Sequence, residues 1–259
     1  MSLIQTQLAN AIGTITMNDP GRRNTLSSTM VAEILAALEV MEQGRARVVV
    51  LRAHAGARVW SAGHDVHELP VAGRDPLAYN DPLVTVLRAI QAAPMPIIAM
   101  IEGGVWGGAC DLALSCDILI ASPTATFTMT PAKIGVPYNA SGILHFIGIM
   151  GVNIAREMFF TAQSLSPERA ERLGIINHLV PEERLEEFTY EMAEKISRNS
   201  PLSIRVIKEQ IRLLANAHPL SPHTFERVQG LRRLVYDSAD YAEGIHAFLE
   251  KRTPEFQGK

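Results

Sequence analysis

The 259-residue sequence contains only two cysteines, Cys110 and Cys116. Two cysteines are too few for a disulfide framework, and no second pair accompanies them as zinc ligands. We therefore expect two buried free thiols. The net charge of −3 also gives no basic excess of the kind that binds phosphate backbones or anionic membranes. The composition thus predicts that nucleic acid is not a partner.

Targeting and membrane segments are also missing from the sequence. Residues 1–8 contain no basic segment and no long apolar stretch, and no later run comes near the ~18 residues of a membrane span. We expect a cytoplasmic protein that does not bind membranes. Hydrophobic residues make up 47% and charged residues 20% of the chain, as in ordinary soluble globular proteins.

Strand-like and helix-like segments alternate in the first part of the chain. Residues 19–21 are predicted to close a strand hairpin, and Ser27 or Ser28 to cap a helix with apolar residues at helical spacing. This alternation predicts an α/β core with mostly parallel strands. The further strands are expected at 48–51, 96–101, 117–120 and 126–129, and a helix at about 83–91.

Strands nearly vanish after about residue 142. Helical apolar spacing follows, with breaks at glycine and proline. The sequence therefore predicts an α/β core over residues 1–198 and a helical C-terminal region over 199–259. The helical stretches are 152–160, 166–173, 183–198, 201–216, 222–237 and 240–251.

Two glycine-rich turns, at 60–66 and 103–111, each follow a short strand-like run and lead into a helix-like stretch. Such turns leave backbone N–H groups free, and two of them brought together can hold an oxyanion. The second turn fits neither a dinucleotide fingerprint nor a P-loop, and Ser61 lacks the first glycine of a nucleophile elbow. The alternative is a pair of strand-to-helix connections with no chemistry.

His64 and His67, with Glu68 beside them, are a possible metal-binding cluster. Their spacing differs from that of the known helical zinc motifs, and no distant third ligand is evident. We therefore predict no metal site.

Several segments resemble the crotonase (enoyl-CoA hydratase/isomerase) superfamily. Residues 61–65, 96–103 and 107–111 are similar to its signature segments, while 22–26 and 243–252 resemble its early CoA-binding segment and its last helix. The resemblance covers nearly the whole chain. It implies an α/β fold, a spiral of ββα units with a helical C-terminal trimerisation region, and assembly as a homotrimer or homohexamer.

The resemblance also implies a binding site for an acyl-CoA thioester. The backbone N–H groups of His64 and Gly108 would form its oxyanion hole, and Phe248 and Lys251 often reach the CoA of a neighbouring subunit. Coenzyme A would enter as part of the substrate, with no other cofactor. The residues placed around the substrate are Arg22, Ala62, Gly63, Asp65, Val66, Thr130, Phe248 and Lys251.

The expected acid and base groups of a hydratase are incomplete. Hydration needs two carboxylates. The resemblance places the first of them at Asp111 and the second at Pro131, which is not an acid. A register shift by one residue would place Thr130 or Ala132 there, and neither is an acid. Since a general acid or base contributes ~100- to 10,000-fold, hydration and isomerisation are both disfavoured.

Decarboxylation of a malonyl-type thioester fits these residues better, because it needs an oxyanion hole but no base. The Tyr138 phenol, with an ordinary pKa of ~10, can hydrogen-bond a substrate carboxylate without taking its proton. Residues 61–70, 73–77, 105–108 and 135–139 resemble the branch of the superfamily that decarboxylates methylmalonyl-CoA. The resulting hypothesis is conversion of methylmalonyl-CoA to propionyl-CoA and CO₂ without metal, biotin or another prosthetic group.

Some roles and functions remain open at this point. Asp111 is a shorter acid than the family's usual Glu, and orients either Gly108 or a water molecule; Tyr138 is alternatively a packing residue. One alternative function is an enoyl-CoA hydratase or isomerase that uses Glu68 or Asp65 as its acid. A second is a CoA-ester binding protein without catalytic activity.

Overall fold

The computed structural model describes residues 2–70, 73–215 and 221–258. It begins with a hairpin of β1 (Ile4–Ala9) and β2 (Ile12–Met17), closed by Asn10 and Ala11, which both have positive φ. Such a two-residue turn matches the twist of the paired strands. The prediction that residues 19–21 close the hairpin is wrong, because Asp19 instead caps a short 3₁₀ helix, Pro20–Arg22.

The first helix begins where its capping residue predicts. The Ser27 side chain accepts a hydrogen bond from the Met30 N–H at 3.2 Å, and α1 follows it. The elements of the α/β part are α1 (Ser28–Gln43), β3 (Val48–Ala53), β4 (Val59–Ser61), α2 (Pro82–Ala92), β5 (Ile97–Ile101), β6 (Gly104–Trp106), α3 (Gly108–Leu114), β7 (Ile118–Ala121) and β8 (Thr126–Thr128).

Helices dominate the second half, as predicted. Its elements are α4 (Ala140–Thr161), α5 (Pro167–Arg172), β9 (His178–Leu179), α6 (Leu185–Ser197), α7 (Pro201–Ala215), α8 (Pro222–Tyr236) and α9 (Ala239–Leu249). Helix α6 packs on the main sheet, whereas α7 has no buried residue. The proposed division at residue 198 stays a prediction, and part of the predicted 201–216 helix, residue 216, lies outside the described residues.

The strands form two sheets. The larger has the order β1-β2-β3-β5-β7-β9 and the smaller β4-β6-β8. All pairings are parallel except that of β1 with β2, which confirms the predicted mostly parallel core. All six residues of β3 are buried, as expected of a strand covered on both faces.

The three-residue strands β4 and β6 are the elements that position the site, and the sequence pattern does not predict them separately. They pair in parallel and occupy the first residues of the two predicted glycine-rich turns, whose remaining residues, 62–66 and 107–111, follow the carboxyl ends of the strands. The turns therefore lie side by side. The first continues into a 3₁₀ helix, Val66–Glu68, and the second into α3.

Helix α4 starts at Ala140, capped by Asn139, and not at residue 152. At 22 residues it is long and apolar enough to cross a membrane by length and composition alone, which contradicts the expectation that no run approaches that length. It contributes Phe146, Met150 and Met158 to the core, and Gly151 interrupts its helical backbone. These features suit a helix packed on a protein core, and the absence of membrane binding stays a prediction.

Candidate active site

The two glycine-rich turns meet so closely that only glycine fits at their contact. Gly63 has φ of +82°, and a Cβ added there would lie 2.3 Å from the Trp106 carbonyl oxygen and 2.9 Å from the Gly108 nitrogen. A Cβ added to Gly108 would lie 3.4 Å from the His64 nitrogen. The structure therefore brings together the two predicted N–H groups.

Both of these N–H groups are available to a ligand. Gly108 is the first residue of α3, where a helix supplies no partner for the N–H. Neither the His64 nor the Gly108 N–H donates to another group within the described part of the chain. Such a pair of preorganised donors can stabilise a developing oxyanion.

A cavity of about 660 Å³ opens at this N–H pair. Ten of the predicted site residues line it, which places most of the predicted set together. Gly63 and Asp111 do not contact the cavity but lie behind its wall. The ten are Arg22, Ala62, His64, Asp65, Val66, Gly108, Thr130, Tyr138, Phe248 and Lys251.

Four basic side chains line the cavity. Arg22, Arg23, Lys133 and Lys251 line it, and they suit an anionic ligand such as a phosphate. Phe248 and Lys251 line the cavity of their own chain here. The basic residues Arg23 and Lys133 were not predicted as site residues, although Arg23 lies within the 22–26 segment that resembles the family's CoA-binding segment.

Asp65 fixes the first turn and is not free for proton transfer. Arg22 donates to one carboxylate oxygen, and the His67 ring and backbone N–H share the other at 2.9 and 3.1 Å. Burial raises the pKa of Asp65, but the hydrogen bonds from His67 and the Arg22 charge outweigh burial, so the pKa lies below its usual value. Asp65 is therefore a carboxylate at neutral pH.

Asp111 anchors two side chains. Its carboxylate accepts the Tyr138 hydroxyl and the His145 Nδ1, each at 2.7 Å, one on each oxygen. Only 2% of Asp111 is exposed. Asp111 does not line the cavity and reaches it through Tyr138, which does. The role predicted for Asp111, to orient Gly108 or a water molecule, stays a prediction.

Tyr138 lines the cavity, but its hydroxyl proton points away from the cavity and toward Asp111. Burial raises the pKa of the phenol well above its usual value of 10.0, and the Asp111 charge and hydrogen bond raise it further. Phe146 and Phe159 pack against the ring at centroid distances of 6.1 and 5.3 Å. Tyr138 is thus a packed residue and a cavity residue at once.

The His64 side chain lies between two acceptors. Its Nδ1 is 3.0 Å from the Asp65 carbonyl oxygen, and its Nε2 is 3.2 Å from the Asp81 carboxylate. His67 faces a different carboxylate, Asp65. The two histidines therefore do not converge on one point, and no group of three His, Cys, Asp or Glu side chains suited to a metal occurs among residues 2–70, 73–215 and 221–258.

Several contacts of the site were missed by sequence reasoning. His145 and Asp81 have no local motif, and they meet Asp111 and His64 only because the chain folds back over 34 and 17 residues. Arg232 of α8 donates to the Tyr138 carbonyl at 3.1 Å and to Asp75. The cysteine prediction is confirmed, since both thiols are free and buried.

The sequence matches the enoyl-CoA hydratase/isomerase family over residues 7–259, and the chain belongs to that family. It is 49% identical over 249 residues to methylmalonyl-CoA decarboxylase of Escherichia coli strain K12, covering 96% of this chain and 95% of that protein. It is 30% identical to 2,3-dehydroadipyl-CoA hydratase of the same strain, covering 95% and 94%.

A solved structure agrees with these relationships. Methylmalonyl-CoA decarboxylase complexed with 2S-carboxypropyl-CoA superposes with a TM-score of 0.97 at 47% identity, covering all of this chain and 99% of that one. The predicted crotonase-like α/β fold is thereby confirmed. The trimerisation role of the C-terminal helices stays a prediction.

Proposed function

We propose that this chain is a carbon–carbon lyase that decarboxylates methylmalonyl-CoA to propionyl-CoA and CO₂. The observation that carries the proposal is the state of the carboxylates near the N–H pair. Asp65 and Asp111 each have both oxygens occupied, and Pro131 lines the cavity where a hydratase needs its second acid. No carboxylate among the described residues that line the cavity is free to act as an acid or base, and this suits a reaction whose electrons come from the departing carboxylate.

The bond that breaks joins the α-carbon to the carboxylate. Its electron pair moves into the bond between the α-carbon and the thioester carbon, and the negative charge passes to the thioester oxygen. The His64 and Gly108 N–H groups hold that oxygen. Removal of one such donor typically costs about 2.7–4 kcal/mol of transition-state stabilisation. CO₂ leaves, and a proton then adds to the α-carbon to give propionyl-CoA.

Apolar walls beside the N–H pair support loss of the carboxylate. Leu83 packs so closely against Gly108 that a Cβ there would lie 2.6 Å from its Cδ2. Leu77 and Val136 also line the cavity. A carboxylate held among such groups loses the hydration that stabilises its charge. The CO₂ that it becomes carries no charge, so the apolar walls disfavour the carboxylate relative to CO₂.

Tyr138 acts at the same end of the cavity. Since its proton is directed at Asp111, a substrate carboxylate must compete with Asp111 for that hydrogen bond. The phenol and the apolar walls together orient the carboxylate, so that the breaking bond stands perpendicular to the thioester plane.

The test is to incubate the purified protein with methylmalonyl-CoA and to follow CO₂ and propionyl-CoA. We expect both products in equal amounts. Rapid hydration of crotonyl-CoA without decarboxylation would instead identify a hydratase, and binding of propionyl-CoA without turnover of any malonyl-type thioester would identify a binding protein.

The acid proposed for the hydratase alternative can be tested by one variant. Glu68 is held by the Ser28 N–H and hydroxyl at 2.7 and 2.6 Å, so Glu68→Gln keeps an acceptor for these donors while removing the acid. The proposal expects decarboxylation to persist in Glu68→Gln. Loss of crotonyl-CoA hydration in this variant, with correct folding, would favour the hydratase. Independence from metal and other cofactors and the cytoplasmic location remain predictions.

We also propose that the chain assembles as a homotrimer or homohexamer through its C-terminal helices. Large apolar side chains are exposed along α7 and α8, which fits a surface covered by other subunits. Light scattering coupled to size exclusion would give three or six times the 28.4 kDa chain mass. The exposed residues include Leu202, Val206, Ile207, Ile211, Leu214, Leu231 and Leu234.

A further inference from the structure

The His64 ring has an acceptor at each of its nitrogens. A backbone carbonyl can only accept, so Nδ1 must carry a proton to bond the Asp65 oxygen at 3.0 Å. An ionised carboxylate can also only accept, so Nε2 must carry a proton to bond Asp81 at 3.2 Å. Satisfying both contacts at once therefore requires the doubly protonated imidazolium.

The surroundings of the ring favour that charge. Asp81 is fixed by its own role as the cap of α2, because its other oxygen accepts the Leu83 N–H at 2.9 Å. Glu68 adds a second negative charge nearby, and the Asp65 carboxylate is already paired with Arg22 and His67. Burial lowers the pKa of His64, but the hydrogen bond and charge of Asp81 outweigh it, so the pKa lies above 6.5.

We propose that His64 is held as an imidazolium by Asp81, and that this charge helps the adjacent oxyanion hole to stabilise the enolate. The inference rests on the proposed function. His64 supplies one N–H of the hole from its backbone and lines the cavity with its side chain. The residue that donates to the thioester oxygen thus also carries the positive charge. This charge offsets the negative charge of Asp81, which would otherwise destabilise a nearby enolate.

The backbone and side-chain contributions of His64 can be separated. His64→Gln leaves the backbone N–H in place and retains one side-chain donor for Asp81, but it carries no charge. We expect kcat to fall about 10- to 100-fold, as for the loss of a unit charge several ångströms from a developing anion, with KM changed much less. His246→Gln, the same substitution on an exposed residue of α9, is the control with unchanged kcat.

The charge itself can be measured without turnover. With ¹³C-labelled histidine, the resonance missing in His64→Gln identifies His64 among the eight histidines. We expect His64 to titrate above 6.5. The kcat of the unaltered enzyme should fall as pH rises through the same value, because deprotonation removes the cation.

Asp81→Asn provides the second variant. Asparagine is as good a helix cap as aspartate, so α2 should retain its start. The expected result is a lower His64 pKa and an alkaline limb of kcat displaced to lower pH by the same amount. The proposal is overturned if His64 titrates at or below 6.5, or if His64→Gln keeps full kcat. It is also overturned if Asp81→Asn shifts the pKa of His64 but leaves the alkaline limb of the kcat profile where it is in the unaltered protein. If methylmalonyl-CoA is not decarboxylated at all, the proposed function fails, and the titration still decides the charge state.

Discussion

The helices on the sheet and the helices near the C-terminus bury different surfaces. α1 buries six apolar residues out of 16, whereas α7 has no buried residue and α8 has only Arg232. The apolar side chains of α1 meet the core of their own chain, while the large apolar side chains of α7 and α8 are mostly exposed. The α/β core is therefore stabilised within one chain, and the C-terminal helices are suited to contacts beyond it.

Arg232 shows that the C-terminal helices also reach the site. It is 6% exposed, and its guanidinium binds the Asp75 carboxylate and the carbonyl of Tyr138. Asp75 belongs to the segment that supplies Leu77 to the cavity wall. One buried cation thus connects the outward-facing helices to the cavity.

The largest expected effect on stability is that of Leu51→Ala in β3. Leu51 is 1% exposed, and loss of a buried leucine side chain costs about 2–5 kcal/mol because it leaves a cavity. Chemical denaturation of the purified protein would measure this cost. A cost under about 1 kcal/mol would contradict the view that the core is stabilised within one chain, since surface substitutions typically stay in that range.

Arg232→Met should have the next largest effect. We expect about 2–4 kcal/mol of destabilisation, less than for a fully buried ion pair because a quarter of the Asp75 side chain is exposed. The kcat for methylmalonyl-CoA should fall as well, since the Tyr138 carbonyl loses a donor. Denaturation and steady-state kinetics on one preparation would measure both effects.

The matched control is Arg198→Met, which removes an exposed pair with Glu194 in the preceding turn of α6. Such pairs contribute about 0.3–0.5 kcal/mol. Equal losses of stability in Arg198→Met and Arg232→Met would mean that Arg232 does not connect the two regions.

Tyr138→Phe tests whether the hydroxyl of Tyr138, the cavity residue whose carbonyl Arg232 binds, contributes to catalysis. The substitution removes only the hydroxyl, while the ring keeps its contacts with Phe146 and Phe159. We expect kcat to fall about 10- to 100-fold, the equivalent of one hydrogen bond to a charged group, with the affinity for propionyl-CoA nearly unchanged. Unchanged kcat would leave Tyr138 with a packing role alone.

Local sequence predicts the part of this structure that local physics determines. The cap at Ser27 or Ser28, the buried strand at 48–51 and the glycine turns follow from capping, burial and backbone freedom, and the structure has the cap at Ser27 and the strand at Val48–Ala53. The hairpin turn at Asn10 and Ala11 was missed because the Asp19–Pro20 pair resembles a turn as strongly as it resembles a helix start.

The contacts within the site could not be predicted in the same way. His145 meets Asp111, and Arg232 meets Asp75, across 34 and 157 residues of chain. No periodicity or motif encodes such pairs, because they depend on how α4 and α8 pack on the rest of the molecule. The family resemblance did supply the N–H pair and ten of the residues that line the cavity, because most of these ten lie within the segments that carry the resemblance.

Leu234→Ala in α8 should have the smallest effect on the stability of a single chain. Leu234 is 71% exposed, so the substitution should change the free energy of unfolding by at most about 0.5 kcal/mol in dilute protein. If α8 contacts another subunit, the same change removes apolar area from that interface, and the oligomer should dissociate at a higher protein concentration. Light scattering over a dilution series would compare Leu234→Ala with Leu51→Ala. An oligomer equally stable in Leu234→Ala and in the unaltered protein would show that this side chain contributes little to assembly, and the contrast between the two regions would then rest on α7.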